Sequence, residues 1–384
     1  MIDFLFSYET LRITWWVLLG VLLIGFAVTD GFDMGVGALL PFVAKTDIER
    51  RVAINTIGPV WEGNQVWFVL GGGAIFAAWP ALYAVSFSGF YLAMFLVLFA
   101  LILRPVGFKY RSKREDPRWR SNWDWALFIG GAVPALIFGV AVGNALRGVP
   151  FHFSTELRPT YEGTLFGLLN PVALYCGLVS FSMLVMHGAA WLTFKAEGPV
   201  ADRARIIGGK AALAAAILFA GGGVFVWLGL LGGYEMTSAI VWDGPSNPLA
   251  KTVIANAGAW LRNFHATPIL CLVPALGIVA PLVAAAGFSA RREGLTLLAS
   301  KLGVICIIAT VGLAMFPFIL PSSTNPSHSL AVFDASSSRA TLRNMLIATV
   351  VFLPLILAYT AWVYSVLWGK VSAASVREAG SSAY

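Results

Sequence analysis

The chain alternates between long apolar stretches and short polar stretches along almost its whole length. A helix needs about 20 mostly apolar residues to cross the hydrocarbon core of a bilayer, which is about 30 Å thick. Nine stretches meet this requirement, at 13–42, 54–78, 81–103, 123–146, 164–190, 207–232, 265–289, 297–320 and 342–368. The pattern therefore predicts an all-α polytopic membrane protein with nine transmembrane helices, in which residues 1–384 form one integral membrane domain.

The composition agrees with this prediction. Hydrophobic residues make up 58% of the chain and charged residues only 12%, and the mean hydropathy is +0.79. This balance is too apolar for a soluble domain with a polar shell. The first apolar stretch is too long for a cleaved signal peptide, and we expect it to remain as the first span. Because the loops are short, we expect no soluble catalytic domain.

The lysines and arginines predict the orientation in the membrane. With nine spans, 19 of the 26 lie on one side, including the 7 in a basic loop at 104–120. The positive-inside rule places these 19 in the cytoplasm, the N-terminus outside and the C-terminus inside. The second stretch is polar for a span, but removing it would weaken this asymmetry, so nine spans are preferred to eight. The basic loop lacks a nucleic-acid motif, and its expected roles are topology and contact with anionic lipid.

Two carboxylates interrupt the first span, in "GFAVTDGFDMGVG". An Asp at the centre of an isolated transmembrane helix costs about 2.5 to 3.5 kcal/mol, whereas a Leu or Phe returns only about 0.3 to 0.6. Asp30 and Asp33 are three residues apart and share one helix face, which must therefore point into protein. Gly31 and Gly35 form a small-xxx-small pattern on another side and predict the close approach of a neighbouring helix.

The second span repeats this design. Its polar stripe runs through Asn55, Glu62 and Gln65, which share one face of a helix. From the topology, we expect Asp33 roughly 15 Å from the cytoplasmic end and Glu62 as its neighbour at a similar depth. With few basic residues expected inside the spans, such acids favour the passage of protons or cations over permanent ion pairs.

Each of these residues also has a structural interpretation. Asp30, Asp33 and Glu62 can cap loosened backbone or bind another subunit without moving protons. Asn64 and Gln65 are weaker candidates for a pathway, since amides inside membranes more often hydrogen-bond between helices. Trp61 flanks Glu62 and can pack against a cofactor or against another helix, and helix packing is the default interpretation.

The four histidines argue against haem binding by this chain alone. His152, His265 and His328 fall at the outer side, and His187 falls near the inner end of the fifth span. Haem ligation by two histidines inside a bilayer usually requires them at matching depth on facing helices. The sequence also lacks zinc, phosphate-loop, dinucleotide and nucleophile-elbow motifs. We therefore expect neither a metal site nor a complete active site in this chain.

Several stretches together resemble subunit II of the cytochrome bd-type quinol oxidases, a family that includes cyanide-insensitive variants. The most specific are "TDGFDMG" and "WEGNQVW". The resemblance runs from about residue 8 to 369 and is also carried by "SGFYLAMFLVLFALILRPVGFKYRSK", "WDWALFIGG", "GNALRGVPF", "ATPILCLVPALG", "AMFPFILPSS" and "YTAWVY".

The resemblance implies a fold, partners and cofactors. Its expected fold has nine helices, arranged as two four-helix bundles plus one peripheral helix. The expected partner is a homologous subunit I that carries haem b and haem d, joined in some complexes by very small single-helix subunits. The complex oxidises quinol, reduces dioxygen to water with protons from the cytoplasm, and lies in the bacterial cytoplasmic (inner) membrane. Some members hold a quinone in subunit II.

The resemblance also gives the intramembrane acids a role as stepping stones for protons that move toward the partner's oxygen-reducing haem. By position in the motifs these acids are Asp33, with Asp30 beside it, and Glu62, where many relatives have Asp. Two alternatives stay open. The first is a proton- or cation-coupled secondary transporter, although no inverted repeat is evident. The second is an assembly scaffold whose acids are purely structural.

Overall fold

The structure is a computed structural model that describes residues 6–379. Its long helices have 18 to 36 residues and are named here in chain order. They are α1 (Tyr8–Val43), α2 (Trp61–Ala78), α3 (Tyr91–Tyr110), α4 (Pro117–Arg147), α5 (Pro171–Lys195), α6 (Pro199–Trp227), α7 (Leu272–Ser289), α8 (Glu293–Met315) and α9 (Arg339–Val366).

Shorter elements connect the long helices. The short α-helices are Asp47–Asn55, Pro80–Gly89, Leu165–Leu168, Arg262–Ala266 and Ala373–Ala379, and the 3-10 turns are Arg111–Lys113, Ala259–Leu261, Pro268–Cys271 and Pro326–His328. Three antiparallel pairs of strands lie in the loops at the end where α1 begins. They are Phe151–Phe153 with Pro159–Tyr161, Tyr234–Met236 with Val253–Ala255, and Phe318–Leu320 with Leu330–Ala331.

The prediction of an all-α membrane protein is confirmed, but the count of nine spans is not. Of the helices in residues 6–379, eight are long and apolar enough to cross a membrane. The exception is α2, which has 18 residues and begins with the polar run at 62–65. The boundaries of the second and third predicted spans were wrong, because 54–60 precedes α2 and Pro80 starts a separate helix before α3.

The long helices form the two predicted bundles. In the first, α1 packs against α2 and α4, and α4 packs against α3. In the second, α5 packs against α6 and α8, and α7 packs between α6 and α8. Helices α1 and α5 join the bundles along their length. Helix α9 packs mainly against α1 and α2, and its Tyr364 ring also contacts the Trp191 ring of α5. Helix α9 is therefore the peripheral helix of the described chain.

Glycines allow the backbones of α1 and α5 to touch. A Cβ atom built on Gly35 would lie 2.1 Å from the carbonyl oxygen of Leu184, and one on Gly188 would lie 2.4 Å from the carbonyl carbon of Gly35. A Cβ on Gly31 would also meet Leu184, at 2.9 Å. The small-xxx-small prediction is therefore confirmed, and the helix that approaches is α5.

Ion pairs organise the end of the molecule where α1 ends and α6 begins, which is called the basic end below. Asp124 of α4 is buried and binds Arg111 at 2.5 Å and Arg50 at 2.7 Å. Asp47 binds Arg111 at 2.9 Å and Arg120 at 2.7 Å. Part of the basic loop is therefore fixed to the bundle by its own charges.

Candidate functional site

A buried ion pair lies where α1 and α3 face each other. Arg104 of α3 donates two hydrogen bonds to Asp30 of α1, with Nη1 to Oδ2 at 2.9 Å and Nη2 to Oδ1 at 2.5 Å. Both side chains are almost completely buried. This bidentate geometry is the strong form of an arginine–carboxylate pair, and it compensates part of the cost of removing the two charges from water.

Asp33 extends this pair into a cluster. Its Oδ2 accepts a hydrogen bond from Asn64 Nδ2 of α2 at 2.8 Å and lies 3.8 Å from Arg104 Nη2. The Asn64 carbonyl oxygen accepts a hydrogen bond from the Tyr364 hydroxyl of α9 at 2.7 Å. The cluster of Asp30, Asp33, Asn64, Arg104 and Tyr364 therefore links α1, α2, α3 and α9. It is called the carboxylate cluster below.

The carboxylate cluster has one open position. Asp33 Oδ1 is buried and has no hydrogen-bond partner in the described structure. If both acids are ionised, two carboxylates share one guanidinium, so the cluster holds an uncompensated negative charge in a low-dielectric interior. A buried oxygen without a partner in such a place is costly, and a proton or a water molecule at Oδ1 removes that cost.

Arg104 contradicts the expectation that the acids inside the spans do not form permanent ion pairs, because it binds Asp30 with two hydrogen bonds. The predicted third span ended at residue 103, and Arg104 was counted with the basic loop, but α3 continues to Tyr110. Gly130 of α4 makes room for the arginine, because a Cβ there would lie 2.9 Å from Arg104 Cγ. The base is therefore packed into the bundle and holds the acids from inside the membrane.

Glu62 lies outside the carboxylate cluster. Its side chain is 67% exposed on the surface of this chain, and its Oε1 lies 3.7 Å from Lys109 Nζ. The residue of α2 that hydrogen-bonds Asp33 is Asn64, two residues further along the helix, and not Glu62. Gln65 is half-buried and Trp61 is buried. The Trp61 ring packs 5.4 Å from the ring of Phe108, and its indole nitrogen has no hydrogen-bond partner in the described structure.

His187 is engaged at both ring nitrogens. Nε2 lies 2.9 Å from the carbonyl oxygen of Val28, and Nδ1 lies 2.9 Å from Ser300 Oγ. Because a carbonyl only accepts, Nε2 must carry a proton. This histidine joins α5 to α1 and α8, and its environment does not fit a haem ligand. Within residues 6–379, no three His, Cys, Asp or Glu side chains are grouped to hold a metal ion.

Comparison with known proteins identifies the family to which this chain belongs. The family model described as "Cytochrome bd terminal oxidase subunit II" matches residues 11–367. The chain belongs to this family. The resemblance of the sequence to subunit II is thereby confirmed, and the secondary transporter is not favoured.

Relatives of subunit II match over nearly their full length. The chain is 54% identical to "Probable cytochrome oxidase subunit 2" of Haemophilus influenzae, covering 96% of this chain and 97% of the relative. It is 50% identical to "Cytochrome bd-I ubiquinol oxidase subunit 2" of Escherichia coli K12, covering 98% and 100%. A chain from the structure of the bd oxidase of Geobacillus thermodenitrificans has the same fold, with a TM-score of 0.69, 15% identity, and coverage of 93% of this chain and 98% of that chain.

Membership of the family has consequences for assembly. A subunit II is one component of a cytochrome bd-type terminal oxidase, which is an oxidoreductase complex, and it implies a partner subunit I. In this family the haems are carried by that partner, in keeping with the environment of His187. The eight apolar helices and the family together fit a multi-pass protein of the bacterial inner membrane.

Proposed function

We propose that this chain helps to conduct protons from the basic end toward the oxygen-reducing haem of subunit I, in a complex that oxidises quinol and reduces dioxygen to water. The basic end faces the cytoplasm in this proposal, which places the N-terminus outside and the C-terminus inside. The partner's haem b and haem d supply the redox chemistry. Very small single-helix subunits and a bound quinone stay expectations of the resemblance.

The observation that carries this proposal is the open position on Asp33. A proton carrier must be able to take up and release a proton without breaking the structure around it. The bidentate Arg104 holds Asp30 in place, whereas Asp33 keeps one buried oxygen without a hydrogen bond. Asp33 is therefore the acid of the pair that is suited to carry a proton, and Asp30 with Arg104 is its fixed support.

Asn64 and Tyr364 support the same assignment. The Tyr364 hydroxyl donates to the carbonyl oxygen of Asn64, which orients the amide so that Nδ2 donates to Asp33 Oδ2. Because that oxygen is held as an acceptor, a proton on Asp33 belongs on Oδ1. The two residues are positioning residues in this proposal, and they leave one site of protonation.

Glu62 is the second acid of the proposed pathway. It lies in the first turn of α2, close to Lys109 at the end of α3, and its side chain points away from the core of this chain. A carboxylate on the outer surface of a membrane protein is unfavourable against lipid, so we infer that subunit I covers this surface. Glu62 then exchanges protons at the boundary between the two subunits. The buried Trp61, next to Glu62, packs on this chain's side of that boundary.

The test is Glu62→Gln in the complete complex, with the haem content matched to wild type by its visible spectrum. The expected result is a fall in quinol-dependent oxygen consumption of at least tenfold, since proton transfer groups typically contribute 10²- to 10⁴-fold. Glu115→Gln, which removes an exposed carboxyl from the basic loop, is the matched control and should keep wild-type turnover. Unchanged turnover in a fully haem-loaded Glu62→Gln complex would support the scaffold alternative and contradict a role of Glu62 in proton transfer.

A further inference from the structure

A cavity of about 440 Å³ opens between α6 and α7 at the basic end, away from the carboxylate cluster. Its polar wall contains three bases and one acid: Asp202, Arg205, Lys210 and Arg291. We propose that this cavity binds one anionic glycerophospholipid, with the headgroup phosphate at the bases and the acyl chains along the groove between α6 and α7. This site is independent of the proposed proton pathway.

Two of the three bases at the cavity can pair with a bound phosphate. Arg205 is paired with Asp202 at 2.6 Å and with Glu293 at 3.1 Å. Arg291 is 74% exposed and lies 3.7 Å from Asp202. Lys210 makes no salt bridge with any residue that the structure describes. Arg205 is therefore structural, and Lys210 and Arg291 are available to pair with a phosphate.

The opposite part of the wall is apolar. Ile206 and Leu213 of α6 are 62% and 47% exposed, and they face the cavity with Ala285 and Phe288 of α7. Ile206, Leu213 and Ile217 are spaced to form one stripe along α6, and Ile217 is also exposed. This stripe continues the cavity toward the middle of the membrane, which is the path that an acyl chain needs.

The depth of the bases fits a headgroup. Lys210 lies five residues deeper along α6 than Arg205, which corresponds to about 7.5 Å of helix rise. A lysine at that depth extends its ammonium group back toward the membrane surface and leaves its methylenes among apolar side chains. A free phosphate ion would gain nothing from the exposed side chains of Ile206 and Leu213, whereas a phospholipid covers them. The combination of charge and apolar wall therefore favours a lipid.

The test is native mass spectrometry of the complete complex purified in mild detergent. The variant Lys210→Gln/Arg291→Gln should retain one fewer anionic phospholipid than wild type, with affinity for added phosphatidylglycerol about thirtyfold weaker, because each base near an anionic headgroup contributes about 1 kcal/mol. The control Lys45→Gln/Arg377→Gln removes two exposed bases that lie outside both the cavity and the basic loop, and it should retain the wild-type number.

A second variant separates the lipid from other sources of phosphate. Leu213→Trp keeps every charge but fills the groove, and it should also release the lipid. Excess inorganic phosphate should leave the lipid bound to wild type. Equal retention in wild type and Lys210→Gln/Arg291→Gln would overturn the proposal. So would displacement by inorganic phosphate, or replacement by phosphatidylcholine at equal affinity.

Discussion

Arg104 of α3 binds both carboxylate oxygens of Asp30 of α1, at 2.9 and 2.5 Å, at a place where neither side chain reaches solvent. The same guanidinium lies 3.8 Å from Asp33. Arg104 therefore neutralises the charge of Asp30 more fully than that of Asp33. This difference makes Asp30 the structural acid and leaves Asp33 suited to carry a proton.

Removal of this base should destabilise the complex strongly. Arg104→Gln leaves two buried carboxylates without a cation, and breaking a buried pair in this way costs about 3 to 5 kcal/mol. The double variant Arg104→Gln/Asp30→Asn removes one of the orphaned charges and should recover part of the loss. The measurement is the temperature at which the purified complex loses its haem absorbance. Equal destabilisation by the single and double variants would contradict the assignment of Asp30 as the principal partner.

The contact between α1 and α5 should tolerate no side chain at residue 35. A methyl group on Gly35 would lie 2.1 Å from a backbone oxygen, so Gly35→Ala forces the two helices apart. The substitution should lower the free energy of unfolding by about 1 to 3 kcal/mol. Gly71→Ala on α2 is the matched control, because nothing lies within 4 Å of a Cβ there. The control should be neutral or slightly stabilising, since alanine favours helix. Thermal unfolding of the two complexes compares them, and equal midpoints would refute the close contact.

The basic end should respond to acid through Glu49. Arg203 donates hydrogen bonds to both Glu49 oxygens, at 2.8 and 3.0 Å, and this lowers the pKa of Glu49 from 4.5 to about 2. A lowered pKa in the folded state means that the contribution of Glu49 to stability is fully present above about pH 4.5. That contribution is lost as the pH falls from about 4.5 to about 2.

Glu49→Gln tests this dependence. The variant should be less stable than wild type at neutral pH, and the difference should shrink as the pH falls through that window. The measurement is the midpoint of unfolding in urea at a series of pH values, with Glu115→Gln as the control for the loss of one carboxyl at the same end. A difference between variant and wild type that does not depend on pH would rule out the ion pair as its source.

Much of the architecture could be predicted from the sequence because it depends on local composition. Apolar length defined eight of the helices, and the cost of an acid in a membrane required that Asp30 and Asp33 face protein. The glycines at 31 and 35 indicated a close helix contact. These conclusions need only the period of a helix and the energy of transfer into lipid.

The partners of the acids could not be predicted in the same way. Arg104 follows the last apolar residues of its span, where a buried base and a loop base look alike in the sequence. Glu62 and Asn64 are only two residues apart on α2, and which one meets Asp33 depends on the rotation of that helix against α1. Tyr364 joins the cluster through the packing of α9, which local periodicity does not describe.

Proton uptake by an Asp33→Asn complex tests whether Asp33 carries protons toward the haem of subunit I. A reaction with dioxygen started by a light flash, in a complex whose haem content matches wild type, reports the protons taken from the medium through a pH-sensitive dye. We expect Asp33→Asn to slow this uptake at least tenfold while electron entry into the haems stays at the wild-type rate. Uptake by Glu115→Gln should be unaffected. Uptake at the wild-type rate in Asp33→Asn would contradict the assignment of Asp33 as a proton carrier.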